Sequence, residues 1–124
     1  MKKLLLIAPS DAERAALRSE LEAAGFEVFV GVPRRESLAR NTRWNAFRRE
    51  PSALDGVVID ARVDGAIEVL DAIRLRAMEL PVVLLFSGES TPKPRLRHAR
   101  TSVLGRPASA VDIGVALESL TRRQ

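Results

Sequence analysis

Cysteine is absent from this 124-residue sequence, and histidine occurs once, as His98. The lack of cysteine excludes disulfides and thiolate metal sites, and it is typical of a reducing compartment. A single histidine in a basic stretch builds neither a histidine metal cluster nor a catalytic triad. The glycines are isolated turn residues and form no phosphate-binding loop. We therefore expect no catalytic residue, no metal, no cofactor and no enzymatic activity.

Long hydrophobic runs are also missing. Residues 1–8 open with two lysines and an apolar run of five or six residues, which is too short for the core of a signal peptide. An acidic helix pattern follows at once, so this segment is better interpreted as a first strand. Nothing approaches the length needed to cross a bilayer. These features predict a cytoplasmic protein with no membrane association, and the length predicts a single domain over residues 1–124.

Positive charge is in excess and unevenly distributed. The formal net charge is +4, and the sequence pI is about 10.6. Two segments carry most of the excess, one with six arginines between residues 34 and 49 and one with five basic residues between 93 and 106. Such clusters are most often solvated surfaces, but they also suit polyanionic partners. Binding to nucleic acid or another polyanion is thus one functional hypothesis, which requires both clusters to share a face.

The order of elements alternates strand and helix. Ser10 and Gly25 suit the N-cap and the C′ position of a first helix, and Ser109 suits the cap of the last. Pro92 and Pro94 allow at most two turns of helix after the fourth strand. Alternation implies a parallel sheet covered on both faces. The predicted strands are 3–8, 26–30, 56–60, 81–86 and 102–105, and the predicted helices are 11–24, 35–49, 66–79 and a last one in which Val111, Val115, Ala116, Leu117 and Leu120 face the core.

This pattern predicts an α/β flavodoxin-like (βα)5 fold, a three-layer sandwich with strand order 2-1-3-4-5 and a shortened or irregular fourth helix. Its central strand, 56–60, ends in Asp60 after three β-branched apolar residues. The carboxyl end of such a strand is where open α/β sheets place their ligands. Asp60 is therefore the main candidate functional residue.

Five pieces of the sequence, in this order and spacing, resemble response-regulator receiver domains over essentially the full length of the chain. They are residues 2–7, the helix and strand through 17–28, the acceptor-like strand 57–60, the fourth strand 80–85, and Arg106-Pro107 where the family has Lys-Pro. The resemblance implies phosphoryl transfer from a histidine kinase to an aspartate, here Asp60. It also implies a Mg²⁺ ion held by an acidic pair after the first strand together with the acceptor.

The sequence departs from that pattern at the metal site. A gapless alignment places Ala8 and Pro9 at the two acidic positions, and neither side chain binds a metal. Asp11 lies further on and is better interpreted as an acid at the start of a helix. Asp60 is then a lone carboxylate, which we expect to pair with Arg106 or to accept from a nearby backbone N–H rather than to accept phosphate.

The switch positions of the family are altered as well. The hydroxyl after the fourth strand falls on Phe86, with Ser87 one place late, and the aromatic switch residue falls on Val103. Arg106 replaces the family's lysine and lacks its compact ammonium. Ala8, Pro9, Phe86, Ser87 and Arg106 thus form a degenerate pocket around Asp60.

The leading hypothesis is a pseudo-receiver, a phosphorylation-independent signalling adaptor that binds a protein partner or a second copy of itself. The resemblance places the interaction face on the fourth helix, fifth strand and last helix, with Arg95, Arg97, Arg100, Val103 and parts of 111–120. Polyanion binding is the second hypothesis, and a response regulator that is still phosphorylated on Asp60 is the third.

Overall fold

The computed structural model of the chain describes residues 2–8, 10–31, 54–60, 62, 66, 69–71, 73, 80–86, 101–105 and 109–122. Five strands and two complete helices lie in this part of the chain. In chain order they are β1 (Lys3–Ile7), α1 (Asp11–Ala23), β2 (Glu27–Gly31), β3 (Gly56–Asp60), β4 (Val82–Phe86), β5 (Thr101–Gly105) and α2 (Ala110–Arg122).

The five strands form one sheet in the order β2-β1-β3-β4-β5, with every neighbouring pair parallel. This confirms the predicted flavodoxin-like order. The start of β3 is joined to β1 by two hydrogen bonds: the Lys3 N–H donates to Asp55 Oδ2 at 2.7 Å, and the Asp55 N–H donates to the Lys3 carbonyl at 2.8 Å. Asp55, directly before β3, thus fixes where the two strands begin to pair.

The sheet is buried on both faces, as parallel sheets are. Because side chains alternate along a strand, the central strands feed two separate clusters. One contains Leu5, Ile7, Val57, Ile59, Val82 and Leu84, and it packs against Ala66, Leu70 and Ile73 from the helical positions after β3. The other contains Leu4, Leu6, Val58, Val83 and Leu85, and it packs against Leu17 and Leu21 of α1 and Ile113 and Leu117 of α2.

Both ends of α1 are closed by the residues that the sequence predicts. The Ser10 Oγ accepts from the Glu13 N–H at 3.2 Å. Gly25 has a φ of +99°, and the following Phe26 N–H donates to the Leu21 carbonyl at 3.1 Å. A positive φ after the helix and this six-to-one hydrogen bond define a Schellman ending.

The N-terminus of α2 is closed by a reciprocal cap. The Asp112 N–H donates to Ser109 Oγ at 3.1 Å, and the Ser109 N–H donates to Asp112 Oδ2 at 3.2 Å. This capping box places the acidic Asp112 in the first turn, where the helix dipole favours a negative charge. The prediction of Ser109 as the cap is confirmed.

The core-facing side of α2 differs in part from the prediction. Val111 and Val115 are 70% and 61% exposed, whereas the sequence analysis placed them in the core. The helix contains two overlapping apolar stripes, and the structure buries the one with the larger side chains at i, i+4 and i+7. The buried side chains of α2 are Ala110, Ile113, Leu117 and Leu120.

Two predicted segments, the basic helix 35–49 and the irregular stretch after β4 at 87–100, lie outside the described residues. Ala66, Val69–Asp71 and Ile73 are helical, in agreement with the predicted helix 66–79. No helix within the described ranges has the length and apolar character of a membrane-spanning segment.

Alanine substitutions at two glycines should have opposite effects on stability. Gly25→Ala forces an L-residue into the left-handed region, so we expect it to lower the free energy of unfolding by about 1 kcal/mol. Gly114 lies inside α2, and an added Cβ would meet only the Phe26 ring at 3.6 Å. Gly114→Ala should therefore raise the free energy of unfolding by roughly 0.5–1 kcal/mol through helix propensity. Urea unfolding measures both changes in free energy. If the two changes had the same sign, the roles given to Gly25 and Gly114 would be contradicted.

Candidate functional site

The carboxyl ends of the three central strands bring the candidate residues together. Ile7 pairs with Ile59, and Asp60 pairs with Leu85. Ala8, directly after β1, and Phe86, the last residue of β4, therefore flank Asp60 along one edge of the sheet. Asp60 is two residues after Val58, so it lies on the sheet face that α1 covers.

Asp60 is the one buried polar or charged residue among those the structure describes, with a relative exposure of 0%. A carboxylate removed from water requires hydrogen bonds and a compensating charge. Arg62 supplies both. Its backbone N–H donates to Oδ1 at 2.9 Å, and its guanidinium donates through Nη2 to Oδ2 at 2.9 Å. Nε lies between the two oxygens, at 3.2 Å from Oδ1 and 3.3 Å from Oδ2. Both oxygens are thus held by the residue two places along the chain.

The same guanidinium reaches α1. Nη2 of Arg62 also donates to Glu13 Oε1, at 2.6 Å, so one nitrogen joins carboxylates from β3 and from the first turn of α1. Hydrogen bonding to Arg62 lowers the pKa of Glu13. Burial opposes this shift, while the charge of Arg62 and a hydrogen bond with Ser10 add to it. The pKa of Arg62 is raised, chiefly by its hydrogen bond to Glu13, so the bridge favours the charged form of both partners.

On the β1 side of Asp60, the described residue at the strand end is an alanine. Ala8 is fully buried, and its carbonyl accepts from Arg14 Nη1 at 2.7 Å. Arg14 is in turn paired with Asp11, which therefore serves as the ion-pair partner of a helix arginine. Across the part of the chain that the structure describes, no three histidine, cysteine, aspartate or glutamate side chains are grouped as a metal site.

These residues do not fit the Mg²⁺ site that the receiver resemblance implies. Mg²⁺ requires oxygen ligands at about 2.0–2.1 Å in octahedral geometry. The Asp60 oxygens are already bound by Arg62, and the Ala8 carbonyl is bound by Arg14. The positive charge next to the Asp60 carboxylate is the Arg62 guanidinium.

The sequence analysis found Asp60 and missed its principal partner. Its expectation that Asp60 accepts from a nearby backbone N–H is confirmed by the Arg62 N–H. Arg62, Glu13 and Arg14 were not predicted as site residues. The signal was present, since a buried strand-end carboxylate without companion acids needs a cation, and Arg62 is two positions away.

Other predicted positions are located less completely. Phe86 and Val103 are located by their backbones in β4 and β5, with Val103 beside Leu84. The remaining predicted pocket and face residues lie outside the described residues, as do the two arginine clusters between 34 and 49 and between 93 and 100. They are Pro9, Ser87, Arg95, Arg97, Arg100 and Arg106.

The sequence matches no protein-family model and no curated protein sequence. Solved structures do resemble its fold. A response regulator receiver domain protein from Clostridium thermocellum has a TM-score of 0.74 and 19% identity, covering 99% of this chain and 96% of that one. The Vibrio cholerae chemotaxis protein CheY4 has a TM-score of 0.72 and 21% identity, covering 97% and 98%.

A third similar structure is a complex of the histidine kinase ThkA with the response regulator protein TrrA, with a TM-score of 0.72 and 20% identity. The match covers 97% of this chain and 98% of that chain. At these identities the likeness establishes the fold, which is that of receiver domains over nearly the whole chain.

The Glu13–Arg62 bridge should make stability depend on pH. Because the folded pKa of Glu13 is lowered, its contribution is present above the ordinary pKa of 4.5 and is lost as the pH falls through the lower folded value. Wild type should therefore be more stable than Glu13→Gln at pH 7, and the difference should shrink below pH 4.5. Urea midpoints across pH measure this. In an Arg62→Met background, the effect of Glu13→Gln on stability should no longer depend on pH. If the stability difference between wild type and Glu13→Gln instead widened in acid, the Glu13–Arg62 bridge would be contradicted.

Proposed function

We propose that this chain is a degenerate receiver domain that acts as a phosphorylation-independent signalling adaptor. The observation that carries the proposal is that Arg62 binds both carboxylate oxygens of Asp60. In addition, the neighbouring end of β1 is followed by Ala8, which has no acidic side chain. An aspartate attacks a phosphoryl group through a free carboxylate oxygen. In this site both oxygens accept hydrogen bonds from a tethered guanidinium.

Charge at the site argues in the same direction. Phosphoryl transfer depends on cations that neutralise the equatorial oxygens of the transferred group. The guanidinium beside Asp60 is shared with Glu13, and a second described guanidinium, that of Arg14, is shared with Asp11 and the Ala8 carbonyl. Among the described residues, neither of these cations is available to an incoming phosphate without breaking an existing ion pair. Neither therefore supplies the electrostatic stabilisation that the transfer needs.

Signalling without phosphate requires a surface that binds another protein. The receiver fold supports this class of function, and among similar structures the ThkA–TrrA complex joins a response regulator to a histidine kinase. For this chain we propose a protein partner or a second copy, bound in one fixed conformation of the domain. The packed sheet and the two described helices support the proposal, because they form a scaffold on which such a surface can be presented.

The chain should resist phosphorylation by a small donor. Incubation with acetyl phosphate and Mg²⁺ should leave the intact mass unchanged, because Arg62 binds both oxygens of Asp60 and the neighbouring position 8 is an alanine. Asp60→Asn, treated in parallel, is the matched control and should give the same result. Addition of one phosphoryl group to the wild type but not to Asp60→Asn would contradict the proposal and would favour a conventional response regulator.

Backbone NMR provides a second readout of the same proposal. Beryllofluoride with Mg²⁺ mimics an acyl phosphate without requiring turnover. We expect no saturable shifts at the amides of Asp60, Arg62 and Glu13 at low-millimolar Mg²⁺. Saturable shifts clustered at those amides would overturn the phosphorylation-independent reading.

A further inference from the structure

We propose that the Arg62 guanidinium is a resident cation that occupies the position between Glu13 and Asp60 and thereby keeps divalent ions out of this sheet edge. The inference rests on the proposed function and deepens it. The proposed function explains weak metal binding by the absence of acids at positions 8 and 9. This inference adds a second cause, the presence of the Arg62 side chain.

The geometry centres on one nitrogen. Nη2 of Arg62 lies 2.6 Å from Glu13 Oε1 and 2.9 Å from Asp60 Oδ2. Oxygens from two carboxylates, one on α1 and one on β3, therefore face a common point that is already filled by positive charge. Asp60 is held by its strand, with 0% of its side chain exposed, whereas the Glu13 side chain is 32% exposed. Glu13 is consequently the partner with freedom to adjust toward a smaller cation.

The chemistry of the pair suits a divalent ion when the arginine is removed. Mg²⁺ in proteins is commonly bound by one or two carboxylates and completes its shell with water. Glu13 and Asp60 meet that requirement although neither aligns with the acidic pair that the receiver resemblance places after the first strand. With Arg62 in place, a divalent ion would have to displace a guanidinium that makes hydrogen bonds to both acids. Without Arg62, the two carboxylates would lose the cation that lies between them.

Variants at Arg62 test this directly with Mn²⁺ and Mg²⁺ as probes. Arg62→Gln removes the charge and keeps an amide donor for Asp60, and Arg62→Ala removes both. We expect each to bind Mn²⁺ at least about tenfold more tightly than wild type, because two carboxylates lose their internal counter-ion. Titration calorimetry gives the affinities. Paramagnetic broadening by Mn²⁺ should centre on the amides of Glu13 and Asp60.

Three further variants serve as controls. Adding Asp60→Asn to Arg62→Gln should abolish the gain, and Arg62→Lys, which keeps a cation, should show none. Arg18→Ala is the matched charge control, because it removes an arginine that is ion-paired with Glu22 at 3.3 Å on the exposed side of α1. It changes the net charge equally and should leave Mn²⁺ affinity at the wild-type value.

Several results would overturn the inference. One is that wild type binds Mn²⁺ at Glu13 and Asp60 as tightly as Arg62→Gln does. Another is that Arg18→Ala gains as much Mn²⁺ affinity as Arg62→Gln. A third is that Arg62→Gln folds but gains no Mn²⁺ affinity over wild type. The wild-type broadening experiment is informative even if both neutral variants fail to fold: local broadening at Glu13 and Asp60 at low-millimolar Mn²⁺ contradicts the exclusion. If the variants gain no affinity while wild type still resists acetyl phosphate, this inference fails and the proposed function stands.

Discussion

A carboxylate buried at the end of a strand must be neutralised, and the organisation of this sheet edge follows from that constraint. Asp60 has no exposed surface, so bulk water does not solvate its charge. Transfer of an unpaired carboxylate to such a position costs several kcal/mol even after the protein relaxes. Arg62, two residues along the chain, neutralises this charge. It donates hydrogen bonds to Asp60 from both its backbone N–H and its guanidinium. The chemistry of the edge is therefore set by an internal ion pair.

The fold brings this pair to α1 through ordinary local rules. Alternation along β3 puts Asp60 on the same sheet face as Val58, and α1 packs on that face through Leu17 and Leu21. The Ser10 cap fixes the first turn of α1 at the carboxyl edge of β1. Glu13, three residues after the cap, is then within reach of Arg62. A helix cap and a strand-end carboxylate thus become parts of one charged network.

Much of the architecture could be read from the sequence, because it depends on strong local signals. β3 was predicted with its observed limits, since three β-branched residues lie between a turn and an acid. The caps at Ser10, Gly25 and Ser109 were predicted because each has a local mechanism. The strand order followed from alternation and right-handed crossovers.

What the sequence did not reveal depended on contacts between distant segments. The bridge from Arg62 to Glu13 spans 49 positions, and no periodicity signals it. The buried stripe of α2 was misassigned at Val111 and Val115 because two apolar stripes overlap and only packing against the sheet selects one. The sequence analysis considered only Arg106 as the cation for Asp60, and Arg106 lies outside the described residues. The contact with Arg62 was not predicted, although Arg62 is only two positions from Asp60.

The central claim is that Asp60 and Arg62 function as one charged unit, and a double-mutant cycle tests it most directly. Asp60→Asn, Arg62→Met and the double variant would be compared with wild type by urea unfolding at pH 7. The account predicts a favourable coupling free energy of about 1–3 kcal/mol, because Arg62→Met takes the Arg62 charge from a buried carboxylate, whereas in the Asp60→Asn background the same substitution has no such buried charge to affect. Coupling indistinguishable from zero would show that the two side chains act independently, and it would contradict the account.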